Sequence, residues 1–209
     1  MPKLGMEPLR RDALIRATIA EIGQVGTLDV TVSRIARRAG MSPALAHHYF
    51  GAKDQMLLAA MRHVLSVYAT EVRRALRQAR GPRARVEAVV RASFSAPNFR
   101  RDTIAVWLNF YVLAQMSPDA RRLLVIYQSR LRSTLGAALR PLVGARARDV
   151  ADRIAALIDG EYLRQSLGRA EPDRDHATAQ VLGYVTLELT TGIADAGAAE
   201  RTEECSRTS

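Results

Sequence analysis

The sequence has a single cysteine among 209 residues. Cys205 stands in a polar stretch near the C-terminus, which excludes a disulfide framework or a zinc cluster within one chain. Histidine is scarce too, with four in the chain. None of His47, His48, His63 and His176 follows a glutamate by three residues, so the Glu-x-x-His pairs of a helical di-iron centre are missing. His47 and His48 are adjacent, and adjacent residues point about 100° apart on a helix, which makes a poor chelate. Asp173 and His176 read as the polar start of a helix. There is no Gly-rich phosphate loop and no Ser/His/Asp constellation, so neither an enzyme, a metal nor a cofactor is expected. No run of about 18 apolar residues exists to span a membrane. The opening residues lack an apolar signal region, so a cytoplasmic location is expected. Aromatics make up only 5%, with one tryptophan. Strand-like alternation bounded by turns and internal repeats of fixed period are both absent, which points to an all-α chain and away from a solenoid.

Positive charge is abundant. Lys and Arg number 31 against 21 Asp and Glu, a formal charge of +10, and this favours an anionic partner, nucleic acid first. Residues 1–53 hold eight Lys/Arg and four Asp/Glu, so the excess is spread along the chain. Charge permits DNA binding without proving it.

Residues 31–53 give the sharper signal. Val32, Ile35, Ala36 and Ala39 recur at i, i+3, i+4 and i+7, the buried stripe of a short helix. Thr31 caps that helix, and Gly40 ends it. Ser42 caps the next helix, with Pro43 at its first position. Leu45, Ala46 and Tyr49 point inward, leaving Pro43, Ala44, His47 and His48 on the outer face. Two short helices joined by a tight turn form a helix-turn-helix, and the second presents the face that enters a DNA major groove. Thr31, Ser33 and the free N–H groups of the first helix suit phosphate. Arg34 and Arg38 share its polar face at i, i+4 and suit charge contacts, and Lys53 suits a phosphate. Ser42, Pro43, Ala44, His47 and His48 face the groove. Pro43 and Ala44 can meet thymine methyls, and His can donate to phosphate or to a guanine acceptor. Tyr49 and Phe50 read as packing rather than base contacts, and Arg37 with Arg38 also fits an ordinary solvated face.

The other segments are helical throughout. A first helix over 8–26 carries Ile15, Ile19 and Ile22, and a fourth over 53–80 carries Leu57, Ala60, Met61, Val64 and Tyr68. Segments 83–95 and 99–116 follow. Ser117-Pro118-Asp119 then starts a long helix to about 139, ahead of Pro141 and Gly144. Two more cover 147–167 and 173–193. These last two are apolar on more than one face, which calls for more than one packing partner. A homodimer interface of four helices explains the excess, and a two-fold reader of palindromic half-sites also needs a dimer. The expected division is a DNA-binding domain at 8–55, a helical ligand-binding and dimerisation domain at 56–195, and an unstructured tail at 196–209.

In the body, Trp107, Phe110 and Tyr111 fall within about a 100° arc of one helix. Asp159 interrupts the apolar run 155–158, with Tyr162 one turn on. The residues alone leave two readings. Trp107 can be plain core with Asp159 paired to Arg132 or Arg164, or the group can form an aromatic cage with one carboxylate, suited to a quaternary ammonium ion. Glu161 lies nearly opposite Asp159 on its helix, so the two do not line one pocket.

The segment IARRAGMSPALAHHYFGAKDQML, residues 35–57, resembles the TetR family of transcriptional regulators in its Ile-Ala, Ala-Gly-hydrophobic-Ser, Tyr-Phe and following Lys. The resemblance implies a three-helix DNA-binding head, an all-helical sensor body and a homodimer on a palindromic operator. By the same resemblance position 47 is often a Tyr on a phosphate, a role that falls to His47 here. A narrower similarity covers LRRDALIRATIAEIGQVG, HYF at 48–50, WLNF at 107–110 and AALIDGEYLRQSL at 155–167. It points to a branch that represses glycine betaine synthesis genes and responds to choline. That likeness selects the cage of Trp107, Phe110, Tyr111, Asp159 and Tyr162. Tyr111 departs from it, standing where a second tryptophan is expected, and Glu161-Tyr162 replaces an apolar-aromatic pair. Pro43 and Ala44 replace the more usual polar-glycine pair. Two other readings stay open: a regulator of the same type sensing a different cationic or apolar molecule, and a DNA binder that senses nothing.

Overall fold

A computed structural model of the chain describes residues 6–168 and 170–207, with side chains through residue 190. It is helical throughout the described residues, in the order α1 (Met6–Val25), α2 (Val32–Arg38), α3 (Pro43–Phe50), α4 (Lys53–Gln78), α5 (Pro82–Ser93), α6 (Arg101–Met116), α7 (Pro118–Val143), α8 (Ala147–Leu167) and α9 (Arg174–Arg207). A short 3-10 turn, Gly144–Arg146, joins α7 to α8.

Local sequence chemistry sets most helix ends. The Thr31 and Ser42 side chains accept from the N–H groups of Arg34 and Leu45 at 3.2 Å each, and Ser117 accepts from that of Ala120 at 3.3 Å. Each satisfies one orphan donor of its first turn. Gly40 takes φ +68° where α2 gives way to the turn, a left-handed geometry that a side chain resists. α7 runs past the expected stop at residue 139. Pro141 sits inside its last turn, where the missing N–H deprives only the exposed Ala137 carbonyl, which water can serve.

The apolar stripes pack as their periods predict. Met61, Val64 and Tyr68 of α4 are buried with Val86, Val89 and Val90 of α5. In α1 the buried face is Leu14, Ala17, Thr18, Glu21 and Ile22; Ile15 and Ile19 sit half-buried at its flank. α8 buries Val150, Ile154, Ile158 and Tyr162. Leu157, Leu163 and Leu167 on α8 and Leu187 on α9 remain exposed in the single chain. α9 continues through 196–207, where a tail is expected, but the side chains there lie outside the described residues.

The three-helix head rests on the body chiefly through α1 against α6. Gly23 permits that approach: a Cβ there would lie 2.6 Å from the Cα of Asp102 at the start of α6. Gly23→Ala is expected to push the two helices apart and to lower stability by about 1–3 kcal/mol, the usual range for overpacking. Denaturant unfolding of the variant beside the parent checks it. Nearby, the Asn109 side chain donates to the Gly26 carbonyl at 3.1 Å, a second tie between the sensor helix and the head.

Candidate functional site

The head presents the expected outer face. Ser42, Pro43, Ala44, His47 and His48 are exposed, while Leu45, Ala46 and Tyr49 turn inward. Tyr49 and Phe50 serve as scaffold. Arg10 donates to the Tyr49 hydroxyl at 3.3 Å and Arg11 to its carbonyl at 2.8 Å, and the Arg11 guanidinium lies 4.6 Å from the centre of the Phe50 ring. His48 meets Tyr49 edge-on, ring centres 5.4 Å apart. His47 is tied to its own helix end, with Nδ1 2.7 Å from the Gly51 carbonyl oxygen. With Nδ1–H donating there, Nε2 is an acceptor in the neutral ring and donates to phosphate only when the ring is protonated.

The two arginines expected to contact DNA are held from behind. Glu21 of α1 is buried, and its carboxylate accepts from Arg34 Nε at 3.0 Å and Arg38 Nε at 2.5 Å. Arg38 also donates to the Gln24 side chain. The Arg38 hydrogen bond, with the charges of both arginines, outweighs burial and holds the Glu21 carboxyl below its usual range. Arg34 and Arg38 therefore fasten α2 to α1 and keep only their outer edges, about 40% exposed, for a ligand. Arg37 is exposed, and no ion pair engages it among the described residues, which makes it the freer phosphate candidate. Lys53 is half-buried, its ammonium donating to the Leu28 carbonyl at 3.2 Å. Thr31 and Ser33 lie at the start of α2, both exposed.

In the body the five expected residues come together, and others join them. Trp107 is buried, with ring centres 6.4 Å from Phe110, 6.0 Å from Tyr111 and 6.1 Å from Tyr162. Its nearest ring is Tyr127 of α7, at 4.6 Å, and Tyr68 of α4 stands 5.6 Å behind that. Neither stands out in the sequence, where each reads as one more member of an apolar stripe. Phe110 is deeply buried, its ring edge-on to Trp107. The Tyr162 hydroxyl shares its proton between the carbonyls of Ser93 and Asn98, at 2.6 and 3.2 Å, which locks the ring in place.

Asp159 is the charge in this group. It accepts from the Tyr111 hydroxyl at 2.9 Å, and no ion pair reaches it among the described residues. Arg132 pairs instead with Asp152 at 3.6 Å. Burial raises the Asp159 carboxyl above its usual range, opposed by the Tyr111 hydrogen bond. Burial also raises the phenols: Tyr68 to about 12, with Tyr111, Tyr127 and Tyr162 raised as well. At neutral pH the phenols stay protonated, so Asp159 is the carboxylate in a group of rings and hydroxyls, a setting suited to a cation. Among the described residues no cluster of His, Cys, Asp and Glu could hold a metal, and no helix is long and apolar enough to cross a membrane.

Residues 14–60 match the family described as bacterial regulatory proteins, tetR family, and residues 82–190 match the BetI-type transcriptional repressor, C-terminal. The chain belongs to the TetR family, with a BetI-type body. It is 52% identical over 190 residues to the HTH-type transcriptional regulator BetI of Brucella suis, covering 90% of this chain and 96% of that one. Against BetI of Rhizobium meliloti the identity is 50%, covering 90% and 94%. Among solved structures, a transcriptional regulator from Pseudomonas aeruginosa PAO1 superposes with a TM-score of 0.75 at 26% identity, over 90% of this chain and 94% of that one. A regulator from Saccharomonospora viridis in complex with choline gives 0.75 at 24% identity, over 84% and 95%, and shares the fold. TetR regulators bind operator DNA and small-molecule effectors and are not enzymes, so this BetI-type repressor is a DNA-binding regulator.

Proposed function

We propose that this TetR-family repressor acts in the cytoplasm as a homodimer on a palindromic operator, controls glycine betaine synthesis genes, and is released by choline. The observation that carries the ligand is Asp159, a half-buried carboxylate that accepts from Tyr111, whose ring stands beside the cluster of Trp107, Tyr127 and Tyr162. A trimethylammonium group has no N–H to donate, so water competes poorly with ring faces for it. Each face contributes about 0.5–2 kcal/mol, and the carboxylate balances the charge. The choline held by the solved regulator of the same fold supports that class.

The dimer forms through α8 and α9, which expose Leu157, Leu163 and Leu167 on the first and Ala179, Gly183 and Leu187 on the second. Ser42, Pro43, Ala44, His47 and His48 read bases, while Thr31, Ser33, Arg37 and the outer edges of Arg34 and Arg38 meet phosphates. Lys53 adds charge at the backbone, where His47 also stands. α6 links the two sites, with Trp107 and Tyr111 on one face and Asp102 and Asn109 against the head on the other. Choline binds more tightly to the arrangement in which the heads no longer match successive grooves. Ligand and operator then oppose each other by about 1–3 kcal/mol.

A band-shift on DNA upstream of the protein's own gene tests this. Choline is expected to weaken binding about 5- to 150-fold, and unrelated cations of similar size to leave it unchanged. A shift that choline and betaine aldehyde both fail to alter removes the ligand assignment and leaves the family membership intact.

A further inference from the structure

A groove of about 710 Å³ runs between α4 and α7 and backs onto the cage at Tyr68. Its walls are Leu65, Val72 and Leu76 on one side and Leu123 and Ile126 on the other, and Tyr127 lines it as well. Along α4 the lining extends from Arg62 to Leu76, about 21 Å at the helical rise. Long and lined for the most part by apolar side chains, it matches the length of an extended alkyl chain.

Its charge is the opposite of the cage's. Arg62, Arg73 and Arg130 line it, all at the surface, and no acidic side chain does. Among the described residues none of the three is ion-paired, and Arg73 donates to the Thr70 hydroxyl at 3.2 Å. Arg62 and Arg73 stand about 16 Å apart along α4, with Arg130 on the facing helix. Cationic walls repel a quaternary ammonium ion, so this groove suits a different ligand from the one the cage suits. A guanidinium is a strong carboxylate partner, able to hold both oxygens at once.

We propose that the groove between α4 and α7 is a second effector site, which binds the anion of a long-chain fatty acid with its alkyl chain along Leu65, Val72, Leu76 and Ile126 and its carboxylate on an arginine at the groove edge. This goes beyond the choline assignment and does not rest on it. Tyr127 belongs to both sites: it lines the groove and lies 4.6 Å from Trp107. Trp107 is the only tryptophan in the chain, so its fluorescence reports occupancy of the groove.

The test is calorimetric titration of the full chain with decanoate, laurate and myristate below their micellar concentrations, followed in parallel by tryptophan emission. Each two-carbon extension is expected to tighten binding about tenfold, the value of two buried methylenes. 1-Decanol, which has the chain length of decanoate without its charge, is expected to bind at least about tenfold more weakly. Arg62→Glu, Arg73→Glu and Arg130→Glu are surface changes that should leave the melting temperature and choline binding as they are. At least one should weaken laurate about tenfold or more, and it marks the carboxylate end. Absence of laurate binding, affinity that ignores chain length, equal binding of decanol and decanoate, or three reversals that each change laurate affinity less than about twofold would each overturn the proposal.

Discussion

Asp159→Asn is expected to weaken choline binding by about two orders of magnitude while leaving the fold intact. Truncating one partner of a buried charge pair costs about 2–5 kcal/mol, and each 1.4 kcal/mol is about tenfold. The amide keeps the shape of the carboxylate and can still accept from Tyr111, so the loss isolates the charge. Stability without ligand should move the other way. Burial raises the Asp159 pKa in the folded chain, so its contribution to stability is fully present below the ordinary carboxylate pKa and is lost as pH rises through the raised value. The Asn variant is therefore expected to melt above the parent at neutral pH, and the two should converge on acidification. Choline carries a permanent charge, so any loss of its affinity as pH falls through that same window reports the protein. Calorimetric titration across pH, with melting curves beside it, measures both. A variant that binds choline as the parent does would exclude Asp159 as its counter-ion.

Glu21→Gln is expected to cost the head about 2–3 kcal/mol and most of its specific operator affinity. Hydrogen bonds to charged groups contribute about 1.5–3 kcal/mol each, and Glu21 holds two arginines that lie partly in water. The outer ends of Arg34 and Arg38 regain water on release, which keeps the loss below the sum of the two bonds. Their freed charges also repel, loosening α2 from α1 and shifting α3 off its register. The sign with pH is opposite to that of Asp159. Glu21 titrates below its ordinary value of 4.5 in the folded chain, so its stabilisation is present above that value and is lost as pH falls through the depressed one. Melting curves from neutral to acid pH check this, with a band-shift for DNA and a choline titration to show that the body is unaffected. A Gln variant with parental melting and operator affinity would show that the ion pairs are incidental.

What can be read from the chain alone divides along the range of the interactions. Caps at Thr31, Ser42 and Ser117 depend on residues three apart, and each forms as its spacing implies. The inward set Leu45, Ala46 and Tyr49 follows from helical period in the same way. Asp159 is legible as a polar break in an apolar run, yet its partner is not. Choosing Tyr111 over Arg132 requires knowing that α8 crosses α6 at that height and that Arg132 finds Asp152. Tyr68 and Tyr127 are hidden because a tyrosine inside an amphipathic stripe carries no local mark of its neighbours; only the packing of α4 and α7 places them behind Trp107. Arg34 and Arg38 share one helix face, as their spacing implies. The acid that claims both of them sits 13 residues before Arg34 on another helix, beyond any i, i+4 rule. Pro141 shows the reverse case, a strong local stop signal overridden because its cost falls on one exposed carbonyl.

The bond from Tyr111 to Asp159 makes the sensor an exchanger rather than a vacant receptor. Any cation that reaches Asp159 competes with a hydroxyl the chain carries within itself, present at constant effective concentration whatever the state of the cell. A hydrogen bond to a charged acceptor is worth about 1.5–3 kcal/mol, so an effector that has to break it binds roughly ten- to a hundredfold more weakly. On the proposed function, traces of such an effector leave the operator occupied, and the switch answers to abundance.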